Sequence, residues 1–429
     1  MARDPYLVSI DIGSHSIKVC VVKELLNERD KLQVLALVDR PSAGIRRGVV
    51  TNLAEATEAL IGAINDTEAI IGLPIRRAVV GLGGISVSFT NSHGLVVVSR
   101  ADNEITDGDL DRVIQDSLTR AFGLSGNEII HVIPKNFSID NQKGIRYPVG
   151  MTGSKLEVET LVISVENSYL RNFTKVVNQS NIDVVSQVYT PLATSDFILS
   201  QKQKKAGTVV IDIGFSSTAF IVWENEEILA SGVVPVGSDH ITADLAVGLQ
   251  TTIEQAEIIK TKYLDLNSNS DVQTIDVEDP DLHTTSTFSL AEVEEIAKVR
   301  AEEIFYLVNK ELRKINRQGK LPGGAILVGG GSSLPGVQEV AKETLRLSVF
   351  KYNFESGNVV FISDYDSDPK FVNAISLAAY ATYHAEDIDY TQSINKPLSR
   401  ISGGGIGGSR GGDSGGTFWD TIRKVLPWT

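Results

Sequence analysis

One motif occurs twice in this chain, and the repetition restricts the fold more than any other feature. The first copy is Val8-Ser9-Ile10-Asp11-Ile12-Gly13-Ser14-His15-Ser16-Ile17-Lys18-Val19-Cys20-Val21-Val22. The second is Val209-Val210-Ile211-Asp212-Ile213-Gly214-Phe215-Ser216-Ser217-Thr218-Ala219-Phe220-Ile221-Val222. Each reads as an apolar, largely β-branched strand, an Asp-Ile-Gly turn with small hydroxyl residues, and a second apolar strand. A lone Asp-x-Gly is an ordinary turn. Two with matching flanks predict two similar domains facing each other across a cleft. A third stretch, Ile326-Leu327-Val328-Gly329-Gly330-Gly331-Ser332-Ser333-Leu334-Pro335-Gly336, is a buried-type strand that breaks into a glycine turn ahead of a helix. Glycine turns at strand ends let backbone N–H groups approach a phosphate or sugar closely. Asp11 and Asp212, near the turns, suit a hydrated Mg²⁺, which takes carboxylates plus phosphates and keeps several waters.

A length of 429 residues allows two or more domains with substantial cores. A net charge of −14 argues against a nucleic-acid partner, though not against a small local membrane contact. Cys20 is the only cysteine and lies in an apolar strand, so a buried thiol is expected, with no disulfide and no cysteine-based metal site. Met1-Ala2-Arg3-Asp4-Pro5 leads directly into a strand without a signal-peptide core. No run reaches the ~20 apolar residues of a spanning helix. A cytoplasmic protein is expected.

The three glycine-containing stretches resemble the first phosphate loop, second phosphate loop and adenosine loop of the actin, heat-shock-70 and sugar-kinase superfamily. Within it, the chain resembles the FtsA family of bacterial cell-division proteins, from Leu7 to about Ala385 and again at the C-terminal tip. The specific signals are Glu128-Ile129-Ile130-His131-Val132-Ile133-Pro134, Pro148-Val149-Gly150-Met151-Thr152-Gly153 and Gly237-Ser238-Asp239-His240-Ile241-Thr242-Ala243-Asp244-Leu245-Ala246. The resemblance implies an α/β, actin-like (ribonuclease-H-like) two-domain ATPase fold with a small inserted subdomain that serves self-assembly into filaments.

Taken in order, the chain divides into a first domain over 1–84, an insert over 85–165, and a return with a connecting helix over 166–205. The second domain opens over 206–237, carries a small subdomain over 238–320 and closes over 321–390. A Gly/Ser-rich linker follows over 391–416, then a terminal helix over 417–429. Apolar spacing predicts a helix from Leu53 to about Gly62, another over Leu192–Gln201 and a long one over Leu290–Ile315. A turn is expected near Gln142-Lys143-Gly144, and Asn267–Thr287, rich in polar residues and without a period, reads as a surface excursion.

By resemblance, Lys18 meets the β- or γ-phosphate of ATP, and Gly13, Ser14, His15 and Ser16 line the first loop. Gly214, Phe215, Ser216, Ser217 and Gly237 line the second, and Gly329, Gly330, Gly331 and Ser332 the adenosine loop. Asp11 and Asp212 hold Mg²⁺ through water, with Asp212 also placed to orient an attacking water. Glu257 and Lys260, one helical turn apart, match residues that hold ribose and adenine. The second loop departs from the pattern, with Phe215 where many relatives have glycine and Ala219 where many have aspartate. Slow hydrolysis at most is therefore implied, with ATP mainly stiffening a polymer-competent form. The basic helix carrying Lys298 and Arg300 matches the subdomain that binds the C-terminal tail of the tubulin-like division protein FtsZ. Contacts with other division proteins are implied too.

The linker Ser402–Gly416 is flexible by composition, with a root-mean-square reach of roughly 20 Å. At about 100° per residue, Phe418, Trp419, Ile422, Val425 and Leu426 share one arc. Asp420, Thr421, Arg423 and Lys424 fill the other side. With Trp428 at the end, this suits the headgroup boundary of anionic membranes. A peripheral position on the inner face of the cell membrane, at the division site, follows from the resemblance. Two other functions share the nucleotide loops. A PilM-like adaptor of type IV pili lacks the glycine-linked tail helix. A kinase or chaperone ATPase needs a substrate pocket and base, or a further substrate domain, for which the chain after Gly336 has little room.

Overall fold

A computed structural model describes residues 6–25, 31–122, 127–267, 273–280, 283–354, 359–361 and 368–384. The linker and the terminal helix, with Phe418, Trp419, Ile422, Arg423, Lys424, Val425, Leu426 and Trp428, lie outside the described residues. Contacts gather the chain into two units, Met1–Val87 with Arg171–Ala379, and Ser88–Leu170 with Tyr380–Thr429.

The first copy of the motif forms strands β1 (Leu7–Ile12) and β2 (Ser16–Glu24), and β3 (Leu32–Pro41) pairs alongside. A two-residue ribbon, β4 (Ile45–Arg46) and β5 (Val49–Val50), leads to helix α1 (Leu53–Ile71), capped by the Asn52 side chain, which accepts from the Ala54 and Glu55 amides. The helix does not stop near Gly62 as its pattern suggests. A side chain at Gly62 would collide with the Arg40 guanidinium, so the glycine serves close packing, and Ala63, Ile64 and Thr67 continue the buried face. Strand β6 (Arg77–Leu82) then runs parallel to β1.

The inserted unit contains β7 (Val87–Val97), α2 (Asp107–Phe122), β8 (Asn127–Ile139), β9 (Gln142–Ile145) and β10 (Lys155–Glu166). They form a four-stranded sheet in the order β7-β10-β8-β9, under which Leu110, Val113, Ile114 and Leu118 of α2 are buried. Gln142–Gly144 is strand rather than turn. The chain reverses one step earlier, at Asp140 and Asn141, both with positive φ (45° and 77°), a conformation that Asn and Asp tolerate through local hydrogen bonding.

Helix α3 (Asn167–Gln179) and strand β11 (Asp183–Tyr189) follow, β11 joining β6 in parallel. The expected single helix Leu192–Gln201 is two, α4 (Thr190–Ile198) and α5 (Gln201–Ala206). Ser200 breaks it with a reciprocal cap: its hydroxyl accepts from the Gln203 amide, and its own amide donates to the Gln203 side chain.

The second copy of the motif is β12 (Thr208–Ile213) and β13 (Thr218–Glu224), with β14 (Glu227–Val234) beside it. Helices α6 (Ser238–Gly248) and α7 (Ile253–Lys262) precede a hairpin, β15 (Thr274–Glu278) and β16 (Thr285–Ser289), inside the stretch whose sequence shows no period. Its alternation is easily missed because each strand is only five residues long and carries one or two buried apolar side chains, Ile275 and Val277 in β15 and Phe288 in β16. Helix α8 (Leu290–Lys314) buries Val293, Ala297, Ala301, Phe305, Val308 and Leu312 at helical spacing. Strand β17 (Gly324–Val328), helix α9 (Val337–Leu345), β18 (Val349–Lys351), β19 (Val359–Phe361) and helix α10 (Val372–Tyr383) complete the order.

The duplication is visible in the sheets. One runs β11-β6-β1-β2-β3-β19 and the other β14-β13-β12-β17-β18. In each, the hairpin lies antiparallel to a third strand on one side and parallel to a strand with a glycine-rich end on the other. Among the described residues, no helix is long and apolar enough to cross a membrane.

Candidate functional site

Both hairpin turns close with the same bond: Gly13 N donates to Ser16 O at 3.0 Å, and Gly214 N to Ser217 O at 3.0 Å. The tips meet within the first unit. Ser216 Oγ donates to Ser14 Oγ at 3.0 Å, and Ser14 Oγ also accepts from Gly48 N at 2.9 Å. His15 and Phe215 bring their rings to 4.8 Å between centroids, and Lys260 Nζ lies 5.9 Å from the Phe215 ring. Phe215 thus occupies the seam between the two loops.

The carboxylates sit one step below the tips. Burial and, secondarily, the negative charge of Asp11 push the Asp212 carboxyl up from 3.8 to about 6, against the Asn373 hydrogen bond and Lys18. Asp11 is raised by burial and by Asp39, with Lys18 opposing. Asn373 Nδ2 donates to Asp212 Oδ2 at 2.9 Å, while its Oδ1 accepts from Thr194 Oγ1 at 2.8 Å, fixing the amide. Among the described residues no three His, Cys, Asp or Glu gather as a metal cage. Two half-buried acids with raised pKa values would fit a Mg²⁺ that took its other ligands from phosphate and water.

Glycines shape the surroundings. Gly237 has no room for a side chain, because its Cβ would lie 2.3 Å from Phe215 O. Ser238 N and Asp239 N, at the start of α6, donate to Gly214 O and Phe215 O, joining that helix to the second loop. Gly329 has φ +81°, and a Cβ there would stand 2.1 Å from Asp212 Oδ1. Gly330 faces open space, Gly331 packs on Ile213, and the Ser332 hydroxyl donates to Gly329 O at 2.7 Å. Glu257 and Lys260 pair at 2.6 Å. Thr242 completes the group, donating to Glu257 Oε2 at 2.6 Å and accepting from Lys260 Nζ at 2.8 Å. Lys260 is 4% exposed and therefore a fixed structural cation rather than a solvated one.

Residues of the two loops, Lys18, Asp11 and Asp212 thus come together. Lys298 and Arg300 are elsewhere, on α8. Lys298 is exposed. Arg300 Nε bonds Asp244 Oδ2 at 2.5 Å, Nη2 bonds Asp244 Oδ1 at 3.0 Å, and Nη1 reaches Glu303. Asn373, Thr194 and Thr242 escape a reading of the sequence, since single polar residues inside helices carry no local signal of what they face. Asp39, beside Lys18, and Lys370, which reaches the same Asp39 carboxylate, escape it too.

Family models match two stretches, "SHS2 domain inserted in FTSA" over residues 84–164 and "Cell division protein FtsA" over residues 209–376. The cell division protein FtsA of Bacillus subtilis (strain 168) is 30% identical over 390 residues, spanning 90% of this chain and 85% of that protein. Among solved structures, a chain of the PilM–PilN type IV pilus biogenesis complex superposes with a TM-score of 0.62 at 17% identity, covering 87% of this chain and 97% of its own. MreB5 of Spiroplasma citri bound to AMPPNP superposes with a TM-score of 0.53 at 11% identity, covering 90% and 99%. At such identities the likeness is one of fold.

Proposed function

The chain belongs to the FtsA family of cell-division proteins and has an actin-like fold, and on that basis we propose that it binds Mg-ATP between its two hairpins and tethers a division filament to the membrane. The observation that carries the nucleotide reading is the convergence of Asp11, Asp212, Lys18 and the two hydroxyl-bearing tips in one site. Lys18 would meet phosphate, as would the Ser14, Ser16, Ser216 and Ser217 hydroxyls. Thr242, Glu257 and Lys260 would hold the sugar and base beside Gly329–Gly331. Mg²⁺, when bound, supplies charge neutralisation for the phosphates; Asp11 and Asp212 would hold its waters. Titration calorimetry tests this: Mg-ATP should bind and Mg-GTP should bind more weakly. A chain with no ATP affinity, or with a GTP preference, has another function in this cleft.

The proposed partners are the FtsZ C-terminal tail, other copies of this chain in a filament, anionic lipids and further division proteins. Because Arg300 is neutralised by Asp244 and Glu303, the exposed Lys298 is the better candidate for first contact with an acidic tail. A terminal helix of the kind the sequence leads one to expect would bury at most five apolar side chains in a membrane at ~1.5–3 kcal/mol each, less the cost of ordering a short helix. A single copy should therefore bind membrane weakly and an array by avidity. One reconstitution reads both attachments: co-sedimentation of chain and FtsZ tail peptide with anionic vesicles. Trp419→Glu should lose chain and peptide from the pellet, and Lys298→Glu the peptide only. Full pelleting of the Trp419→Glu chain would place the tether elsewhere.

A further inference from the structure

The two hairpins are alike in backbone and unlike in charge. In the first sheet Asp11, Lys18 and Asp39 are successive cross-strand partners on β1, β2 and β3. The matching row in the second sheet is Asp212, Ala219 and Val233. Cross-strand partners share a face of the sheet, so Lys18 stands between two carboxylates. Its Nζ donates to Ser16 Oγ at 2.7 Å and lies 3.9 Å from Asp39 Oδ1, and the Ser16 hydroxyl hydrogen-bonds to Asp39. A second cation reaches the same acid: Lys370 Nζ, in the turn Pro369–Phe371 before α10, is 3.2 Å from Asp39 Oδ2 and 3.6 Å from Asp368 Oδ2. Burial pushes the Asp39 carboxyl up, but Ser16, Lys18 and Lys370 outweigh it and hold it below its ordinary value. Asp39 is thus a stably charged anion beside the lysine that the nucleotide reading assigns to phosphate.

We infer that Asp39 is the resident counter-ion of Lys18, a positioning residue that holds the amine in the nucleotide-free chain and yields it to phosphate, while Lys370 remains to neutralise the acid left behind. The inference rests on the nucleotide reading above. An anion that must be displaced weakens ligand binding, and a second cation on that anion relieves the penalty. Asp39→Asn, which keeps size and hydrogen bonding, should therefore tighten Mg-ATP binding about two- to fivefold, the range of one solvent-near ion pair. Adenosine, which lacks phosphate, should bind equally to both proteins. Lys370→Met should weaken Mg-ATP binding in the parent chain and do little once Asp39 is replaced. Independently, Lys18 of the nucleotide-free Asp39→Asn protein should react faster with an amine-acylating ester, read by peptide mass spectrometry. Four results each overturn the inference: Mg-ATP affinity unchanged or lower in Asp39→Asn, an equal change for adenosine, an undiminished Lys370→Met effect in the double variant, or unchanged Lys18 acylation. A parent chain that binds neither ATP nor adenosine instead sinks the nucleotide reading itself, and the inference falls with it.

Discussion

Asp212→Asn should make the nucleotide-free protein more stable at pH 7 while reducing its Mg-ATP affinity by at least about tenfold. The folded chain holds the Asp212 carboxyl at about 6, against 3.8 for an ordinary aspartate, because burial and Asp11 oppose its charge. A raised carboxyl pKa means that the folded state binds the proton more tightly than the unfolded state. Stability from this group is therefore greatest below about pH 4 and is lost as pH rises through about 6. At pH 7 the ionised side chain costs on the order of 1–3 kcal/mol. Asparagine has the same shape and no charge, and its carbonyl oxygen can still accept from Asn373 Nδ2. The gain should be full at pH 7, shrink as pH falls through about 6, and vanish below about 4, where the parent carboxyl is itself protonated. Denaturant melts at pH 4, 5.5 and 7, with calorimetry at pH 7, read both halves. A variant that is less stable at pH 7, or equally altered at all three values, would show that the carboxylate is not strained in the free protein. Function and stability oppose each other at such a site because the charge that costs folding energy is the one a cation needs.

Gly329→Ala should be the most damaging single-methyl change in the site, and Gly330→Ala, one residue on, should leave folding intact. Gly329 combines φ +81° and ψ 168°, a region that residues with a Cβ occupy only at a cost of about 1–3 kcal/mol. Its new methyl would also stand 2.1 Å from Asp212 Oδ1 and 2.7 Å from Ile213 O, and relieving that contact costs a further ~1–3 kcal/mol. The chain can relax only by moving Asp212, so affinity for Mg-ATP should fall together with stability. At Gly330 nothing lies within 4 Å of the position a methyl would take, so stability should change by no more than about 0.5 kcal/mol. The added carbon would project into the space proposed for the nucleotide, so affinity alone should drop. Thermal melts paired with calorimetry separate the two. Equal loss of stability in both variants would contradict the local geometry, and unchanged ATP affinity in Gly330→Ala would move the nucleotide away from this loop.

The duplicated hairpins are written in the chain itself, because alternating β-branched runs on either side of Asp-Ile-Gly favour one local solution in both places. So is the long buried stripe of α8, whose period is regular over seven turns. Asp11, Asp212, Lys18 and the loop hydroxyls are legible since their positions within a hairpin fix where they point. Elements with a weaker signal went differently: α1 passes Gly62 because Arg40, distant in sequence, fills the space a side chain would take. The hairpin β15–β16 forms because three scattered apolar residues find a core to cover.

What each charged group faces was settled by folding alone. Asn373 is one polar residue in an apolar helix until α4 and β12 bring Thr194 and Asp212 to its two ends. Arg300 reads as a free cation and is held by Asp244, 56 positions earlier in the chain. Asp39 and Lys370 carry no motif, yet strand register places Asp39 beside Lys18 and the turn before α10 brings Lys370 to the same carboxylate. Backbone periodicity is a local property and survives in the sequence, whereas electrostatic partnership depends on through-space distance, which only the folded chain sets.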